Sequence, residues 1–356
     1  MNAHGSSWRR LLPPTIALCL LVAAGLAVAE NTLVVNPYEG VDWDAVGQYK
    51  ANLHTHTAAG RGAVIEPPDV IDEYNERGYR ILALTDHDQN TWPWTDYGRD
   101  PTELGMLAIS GNELSAGHDT NALFCHLETD ETDHDAALEE IAAHNGLAFL
   151  CHPGRYWQPT EEGTVPADVL ERYRGIFSRH DHLVGLEIIN CGNRYSNDRL
   201  LWDALLEEMM PGRPVHAFAN DDMHSIGHLG RDWTVYPLPA LTEDGVRNAM
   251  TSGAFYAASV STQPEADRSV KGTPVITRIT HRERDGTLTI AANVGGEPLD
   301  DAGYRWIVDG EVVHDGPTLR YRDDDRIDNY VRAEIVGTGG TAFTNAFGFT
   351  EREGDA

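Results

Sequence analysis

Lysine is almost missing from this chain of 356 residues, where Lys50 and Lys271 are the only two. Asp and Glu outnumber Lys and Arg by 56 to 27, and the formal charge is -29. Binders of long nucleic acid gain affinity by releasing counterions with clustered Lys and Arg, so long nucleic acid is not the expected partner. A small phosphate ester held by a local cation cluster stays open. Cysteine is also scarce, at four residues. Cys19 lies in an N-terminal apolar run, which leaves Cys125, Cys151 and Cys191, an odd number without close pairing. At most one bridge is possible, so a disulfide framework is excluded. Each of the three ends or follows an apolar run, as in Leu147-Ala-Phe-Leu-Cys151, and reads as a small buried apolar residue. No G-x-S-x-G elbow, no P-loop pattern and no internal repeat occurs.

The N-terminus reads as a signal peptide over residues 1–29. Arg9 and Arg10 form a charged start, residues 15–28 an apolar run, and Ala27-Val28-Ala29 a cleavage site before Glu30. The run is short for a membrane span, and Cys19 follows Leu18, not a small residue, so a lipoprotein anchor does not fit. A secreted or periplasmic protein starting near Glu30 is expected, with no stable membrane span. Cleavage takes the formal charge from -29 to -31, because Arg9 and Arg10 are lost with no acid.

From residue 48 to about 260, short apolar runs alternate with helix-like stretches, the signature of a mainly parallel α/β domain. Strands are expected at 49–54, 79–85, 105–110, 121–125, 147–151, 183–189 and 215–219, enough for a barrel or a large open sheet. Helices are expected from Pro67-Pro68 to Gly78, over 132–144, and over 198–210. Beyond about 270 the pattern changes to short strands at 275–284, 287–293, 304–308, 318–321, 330–336 and 342–347, joined by turns such as Asp285-Gly286 and Asp309-Gly310. The expected organisation is therefore a hydrolase domain over 30–265 and an all-β, sandwich-like accessory domain over 272–350. Asp323-Asp324-Asp325 reads as a solvated turn that could bind calcium, and the tail from 351 reads as frayed.

The informative residues stand where the α/β strands end. In succession these are His54-Thr-His56, Asp86-His87-Asp88, Asn112-Glu113, His152-Pro153 and Asp221-Asp222-Met-His224. Side chains at the C-terminal ends of strands converge on one face, so these groups are expected to share a pocket. His54 and His56, two apart on a strand, project to one side. Burying several imidazoles and carboxylates together is costly unless a cation compensates them. Neutral imidazole and carboxylate suit zinc, manganese or iron, and Glu113 is the natural carboxylate to bridge two ions.

This succession, in this order, resembles the motif series of the PHP (polymerase and histidinol phosphatase) family over about residues 48–260. The resemblance implies a distorted seven-stranded β/α barrel with two or three divalent metal ions that hydrolyses phosphoesters. Carried over by position, His54, His56, Glu113 and Asp222 would hold one ion, Glu113 and His152 with one further histidine a second, and His87 and His224 a third. The further histidine is His118 or His126, with the reading leaning to His118. Family members commonly carry a histidine or aspartate five or six residues after the first His pair. Here Arg61 and Gly62 stand there, so the third site is in doubt, and Arg61 either meets a substrate phosphate or points into solvent.

Softer candidates surround this set. Arg155, three residues past His152, is expected to clamp a phosphate or else to form a structural ion pair. Glu113, Asp222 and Arg155 are the residues assigned to catalysis. Trp92, Trp94, Tyr156 and Trp157 could line the pocket, Asn190 and Asp221 could orient ligands, and His228 could act as an acid. The expected reaction is attack of a metal-activated water on a small phosphorylated substrate. The rival readings are an amide or carboxylate-ester hydrolase on the same cluster, or a non-catalytic metal- or glycan-binding protein. The oligomeric state is not readable.

Overall fold

The computed structural model describes Met1, residues 30–322 and residues 324–352. The signal-peptide reading, Met1 aside, and Asp323 lie outside the described residues. In chain order the first part holds β1 (Glu30–Val35), β2 (Gly47–Asn52), α1 (Pro67–Glu76), β3 (Tyr79–Ala83), α2 (Pro101–Leu104), β4 (Leu107–Ile109) and β5 (Gly111–Leu114). Next come β6 (Thr120–Leu123), α3 (His134–Ala143), β7 (Leu147–Leu150), α4 (Ala167–Arg179) and β8 (Leu183–Asn190). They are followed by α5 (Asn197–Met209), β9 (His216–Asn220), β10 (Asp232–Leu238), α6 (Glu243–Ser252) and β11 (Tyr256–Ser259). Only strands and short 3-10 turns follow: β12 (Val275–Arg282), β13 (Thr287–Val294), β14 (Glu297–Pro298), β15 (Tyr304–Val308), β16 (Glu311–Asp315), β17 (Thr318–Arg320), β18 (Tyr330–Val336), β19 (Thr341–Thr344) and β20 (Phe347–Arg352).

Local chemistry accounts for the elements that carry the site. Pro67 and Pro68 occupy the first turn of α1, where no intrahelical donor is needed, and Gly78 at φ 80° reverses the chain into β3. Every residue of β7, β8 and β9 is buried, as expected for strands covered on both faces. Gly185 in β8 is required by contact, since a Cβ there would lie 2.0 Å from the His216 carbonyl oxygen.

The fold is mixed α/β, and the expected mainly parallel arrangement is corrected. β5-β6-β7-β8-β9 form a five-stranded sheet whose first two pairings are antiparallel and last two parallel. β2-β3-β4 pair in parallel, but β10 runs antiparallel to both β2 and β11. For the β5–β6 pair the cause is connection length: the segment between Leu114 and Thr120 is too short to hold a crossover, so the chain turns back on itself. The seven expected strands are divided between two sheets, and no sheet among the described residues closes on itself. Two isolated parallel bridges, Thr55 to Met223 and His87 to Glu113, join the sheets at the end where the strand-end motifs lie.

Hydrogen bonding continues past residue 265. β11 pairs with β19, and β1 pairs with β20, so the eleven-stranded sheet runs β1-β20-β18-β19-β11-β10-β2-β3-β4, with β15 and β16 on a branch. β12, β13, β14 and β17 form a four-stranded sheet. One apolar core joins Tyr74, Tyr79, Met223 and Trp233 to Ile276, Ile290, Trp306 and Phe347. The tail read as frayed from 351 is instead strand as far as Arg352, paired with Glu30, because β1 gives it a partner. Among the described residues no helix is long and apolar enough to cross a membrane. Cys125, Cys151 and Cys191 are all free, the first two buried.

Candidate metal centre

Seven of the nine expected metal ligands meet at the bridged end of the sheets. His54 and His56 leave β2, His87 leaves β3, Glu113 stands on β5, His152 follows β7, and Asp222 and His224 follow β9. All but Glu113, which stands within the β5 ladder, follow the last paired residue of their strand. His152 (φ 32°) and Asp222 (φ 44°) adopt the left-handed backbone that side-chain-bearing residues avoid, at a cost of about 1–3 kcal/mol each. Such strain is sustained only where the surrounding structure fixes it.

Glu113 is the centre of the group. It is fully buried, and His87 Nδ1 lies 2.8 Å, His54 Nε2 3.4 Å and His56 Nε2 3.4 Å from its Oε2. His152 Nε2 lies 3.3 Å from its Oε1. Despite four imidazoles this close, neither oxygen has a hydrogen bond of acceptable geometry. Asp222 Oδ1 stands 3.0 Å from His56 Nε2, 3.4 Å from His54 Nε2 and 3.3 Å from His224 Nδ1. The two ring nitrogens His54 Nε2 and His56 Nε2 face each other at 3.2 Å. Three sets drawn wholly from the expected ligands have ligand atoms within 4.8 Å of one another: His54, His56 and Asp222; His54, Glu113 and His152; His56, His87 and His224.

The electrostatics fit a missing cation. Burial alone raises a carboxyl pKa, yet His54, His152 and His87 hold Glu113 well below the usual range. Asp222 is likewise held down against burial, by His54 and His56. Burial lowers an imidazole pKa, but electrostatic interaction with Cys151, Glu187, Glu113 and Asp222 pushes His54 well above its ordinary value. His152 is pushed up to about 9, where burial is outweighed by the close Glu113 carboxylate and by the Glu187 and Asp222 charges. For His56 burial wins, and the value falls. Protons on these rings stand in for cations. Imidazole nitrogens converging on a buried carboxylate without a hydrogen-bond partner, Glu113, fit zinc, manganese or iron, so the donor set passes this test.

The remaining candidates are placed as follows. His118 is buried apart from the three sets, with Nδ1 3.1 Å from the Asp119 carbonyl, Nε2 2.8 Å from the Tyr173 hydroxyl, and its ring stacked on His134. Both its nitrogens are engaged. His126 is exposed, with Trp92 as its ring neighbour. Arg61 is two-thirds exposed and pairs with Asp88 at 2.5 Å. Beside it Gly62 covers His224, where a Cβ would lie 3.2 Å from the ring. Asp86 is consumed by Thr57 N, Thr57 Oγ1 and Thr91 Oγ1. Asp221 takes the amides of Gly230, Arg231 and Asp232, and so fixes the turn beside Asp222. Asn190 bonds Glu187, and His228 lies 3.6 Å from the Cys191 sulfur. Trp94 and Trp157 are core, whereas Tyr156 is 40% exposed.

A cleft of about 300 Å³ opens onto the group, lined by His87, His152, Asp222 and His224 with Arg155, Arg194 and Tyr195. Arg155 is half exposed and bonds Asp119 Oδ2 at 2.8 Å. Arg194 and Tyr195 were not legible as site residues, since they sit in a loop with no ligand motif. Nor was Glu187, whose carboxylate lies inside the apolar run of β8 and reads as core.

No protein-family model matches the chain, and no curated protein matches it. Among solved structures the chain is similar to a two-domain protein of Bacteroides vulgatus containing a predicted PHP-like metal-dependent phosphoesterase. The identity is 15% and the TM-score 0.49, over 90% of this chain and 98% of that one. It is also similar to PsfC from Pseudomonas syringae, at 14% identity and a TM-score of 0.39, over 57% of this chain and 88% of that one. A third neighbour is the lesion-specific endonuclease PfuEndoQ from Pyrococcus furiosus, at 11% identity and a TM-score of 0.39, over 58% of this chain and 56% of that one. At such identities and scores the likeness carries nothing about the chemistry, which rests on the side chains above.

Proposed function

We propose that this chain is an exported, metal-dependent phosphoesterase acting on a small phosphorylated substrate. The observation that carries the reading is Glu113: a fully buried carboxylate with no hydrogen bond of acceptable geometry on either oxygen, one facing His54, His56 and His87 and the other His152. A buried charge so placed is costly unless cations complete it. His54, His56 and Asp222 with Glu113 would hold one ion, Glu113 and His152 another, and His87 with His224 a third. Such ions lower the pKa of water toward neutrality and neutralise charge on phosphoryl oxygens.

The rest is done by the protein's own groups. Arg155, held by Asp119 along one edge, keeps further N–H donors free for an anion in the cleft. The guanidinium of Arg194 has no ion pair among the described residues and lies over the Tyr195 ring. In a chain of charge -29, two arginines at one small cleft favour a compact anion, while the whole-chain field disfavours long nucleic acid. In this reading the seven strands behave as a distorted barrel whose mouth is the metal centre, and the strands beyond residue 272 support it as an accessory layer.

The test is protein purified without added metal, stripped by chelation and reloaded with manganese, zinc or iron. Phosphomonoester and phosphodiester reporters are then assayed beside amide and carboxylate-ester reporters. Phosphate-ester hydrolysis, read as release of the reporter alcohol, is expected only from reloaded protein, with Glu113→Ala reduced to background. Turnover of the amide or carboxylate ester alone overturns the phosphoesterase assignment, and full activity in Glu113→Ala overturns the bridging role.

A further inference from the structure

Glu187 is a fully buried carboxylate on β8, outside the strand-end pattern, and it takes four donors, two on each oxygen. Oε1 lies 2.9 Å from His54 Nδ1 and accepts from Asn220 Nδ2 at 2.9 Å. Oε2 accepts from the His152 backbone N–H at 3.0 Å and from Asn190 Nδ2 at 2.8 Å. An ionised carboxylate only accepts, so the His54 ring must present Nδ1–H to it. Its Nε2 lone pair then faces Glu113, His56 and Asp222. The Asn220 amide cannot turn to relieve this, because its Oδ1 accepts the Leu53 N–H at 2.8 Å.

We infer that Glu187 is a positioning residue that fixes the His54 tautomer and, through the His152 amide, anchors the left-handed turn presenting the second imidazole. One carboxylate thereby orients two ligands that come from different sheets. This rests on the metal-centre reading above. The Cys151 sulfur, which with His54 and Glu187 forms a further set within 4.8 Å, offers a competing arrangement in which an ion sits on the Nδ1 side of His54. The 2.9 Å contact between His54 Nδ1 and Glu187 fills that side with a hydrogen bond instead.

Glu187→Gln tests it, since the new amide is isosteric but must turn its NH2 toward two donors. On one side these are His54 Nδ1–H and Asn220; on the other they are the His152 amide and Asn190. Asn190 can rotate, because its Oδ1 has no partner, but a backbone N–H cannot invert. Zinc affinity, measured by competition with a chelator, is expected to fall about 10- to 100-fold. Glu187→Asp, which keeps an acceptor-only anion, is expected to recover part of that loss. A Glu187→Gln protein with unchanged zinc affinity overturns the inference. A second measurement needs no variant: nitrogen-15 NMR of the zinc-loaded wild type is expected to show His54 protonated at Nδ1 and metallated at Nε2. Zinc on Nδ1, or a thiolate-to-metal charge-transfer band in the cobalt-substituted protein, overturns the positioning role and leaves the metal centre standing. Zinc bound with no perturbation of either His54 nitrogen overturns the metal-centre reading and the inference together.

Discussion

Metal binding at this site is a competition between cations and protons, and His152 makes that competition measurable. Its imidazole is pushed up to about 9, so at neutral pH the metal-free ring is charged and must lose a proton to become a ligand. Glu113 and Asp222 are held low and stay ionised throughout, so they add no pH dependence above the carboxylate range. The sign follows: zinc affinity rises with pH as His152, and His54, which is also pushed up, lose their protons. Titration calorimetry between roughly pH 6 and 8 is expected to give at least about a tenfold gain per pH unit, with proton release on binding. A flat profile would show that His152 does not bind the metal. Most of this residue-scale chemistry was legible beforehand, because His54, His56, His87, Glu113, His152, Asp222 and His224 all stand at ends of apolar runs. Glu187 was hidden for the opposite reason, since a carboxylate within Leu-Val-Gly-Leu-Glu-Ile-Ile gives no sign of the four donors that other elements bring to it.

Elements here are held by joints that sequence patterning does not reveal. Periodicity located β2, β3, β7, β8 and β9 to within a few residues, but not their pairing, since an apolar run looks alike in a parallel or an antiparallel ladder. β1 and β10 were missed because their value lies in partners far along the chain. One joint is a buried ion pair between α5 and β18, where Arg332 places Nε 2.6 Å and Nη2 2.8 Å from the two Asp203 oxygens, beneath the Tyr330 hydroxyl. The guanidinium also lies over the Trp202 ring and donates Nη1 to Glu334 at 2.7 Å, so removing the Asp203 carboxylate leaves a buried cation with only the Glu334 charge to compensate it. Asp203→Ala is expected to cost about 3–5 kcal/mol in urea unfolding, and Asp203→Ala with Arg332→Met to regain most of it. A single-variant loss below about 1 kcal/mol would show that the pair contributes little to the joint.

Across the whole molecule, the same ladder that ends in metal ligands at one place is completed by C-terminal strands at another, through β11 with β19 and β1 with β20. The site therefore depends on a sheet that runs through both compositional halves of the chain, although the change in sequence character near residue 270 suggests separate units. Acidity is also a whole-chain property, a formal charge of -29, while the cleft keeps Arg155 and Arg194. The central claim is that cations bridge through Glu113, and anomalous diffraction from crystals grown with zinc tests it most directly. Peaks are expected about 2.0–2.2 Å from the Glu113 oxygens, shared with His54 or His56 on one side and His152 on the other. Zinc confined to surface carboxylates, with the Glu113 oxygens uncoordinated, would contradict the account.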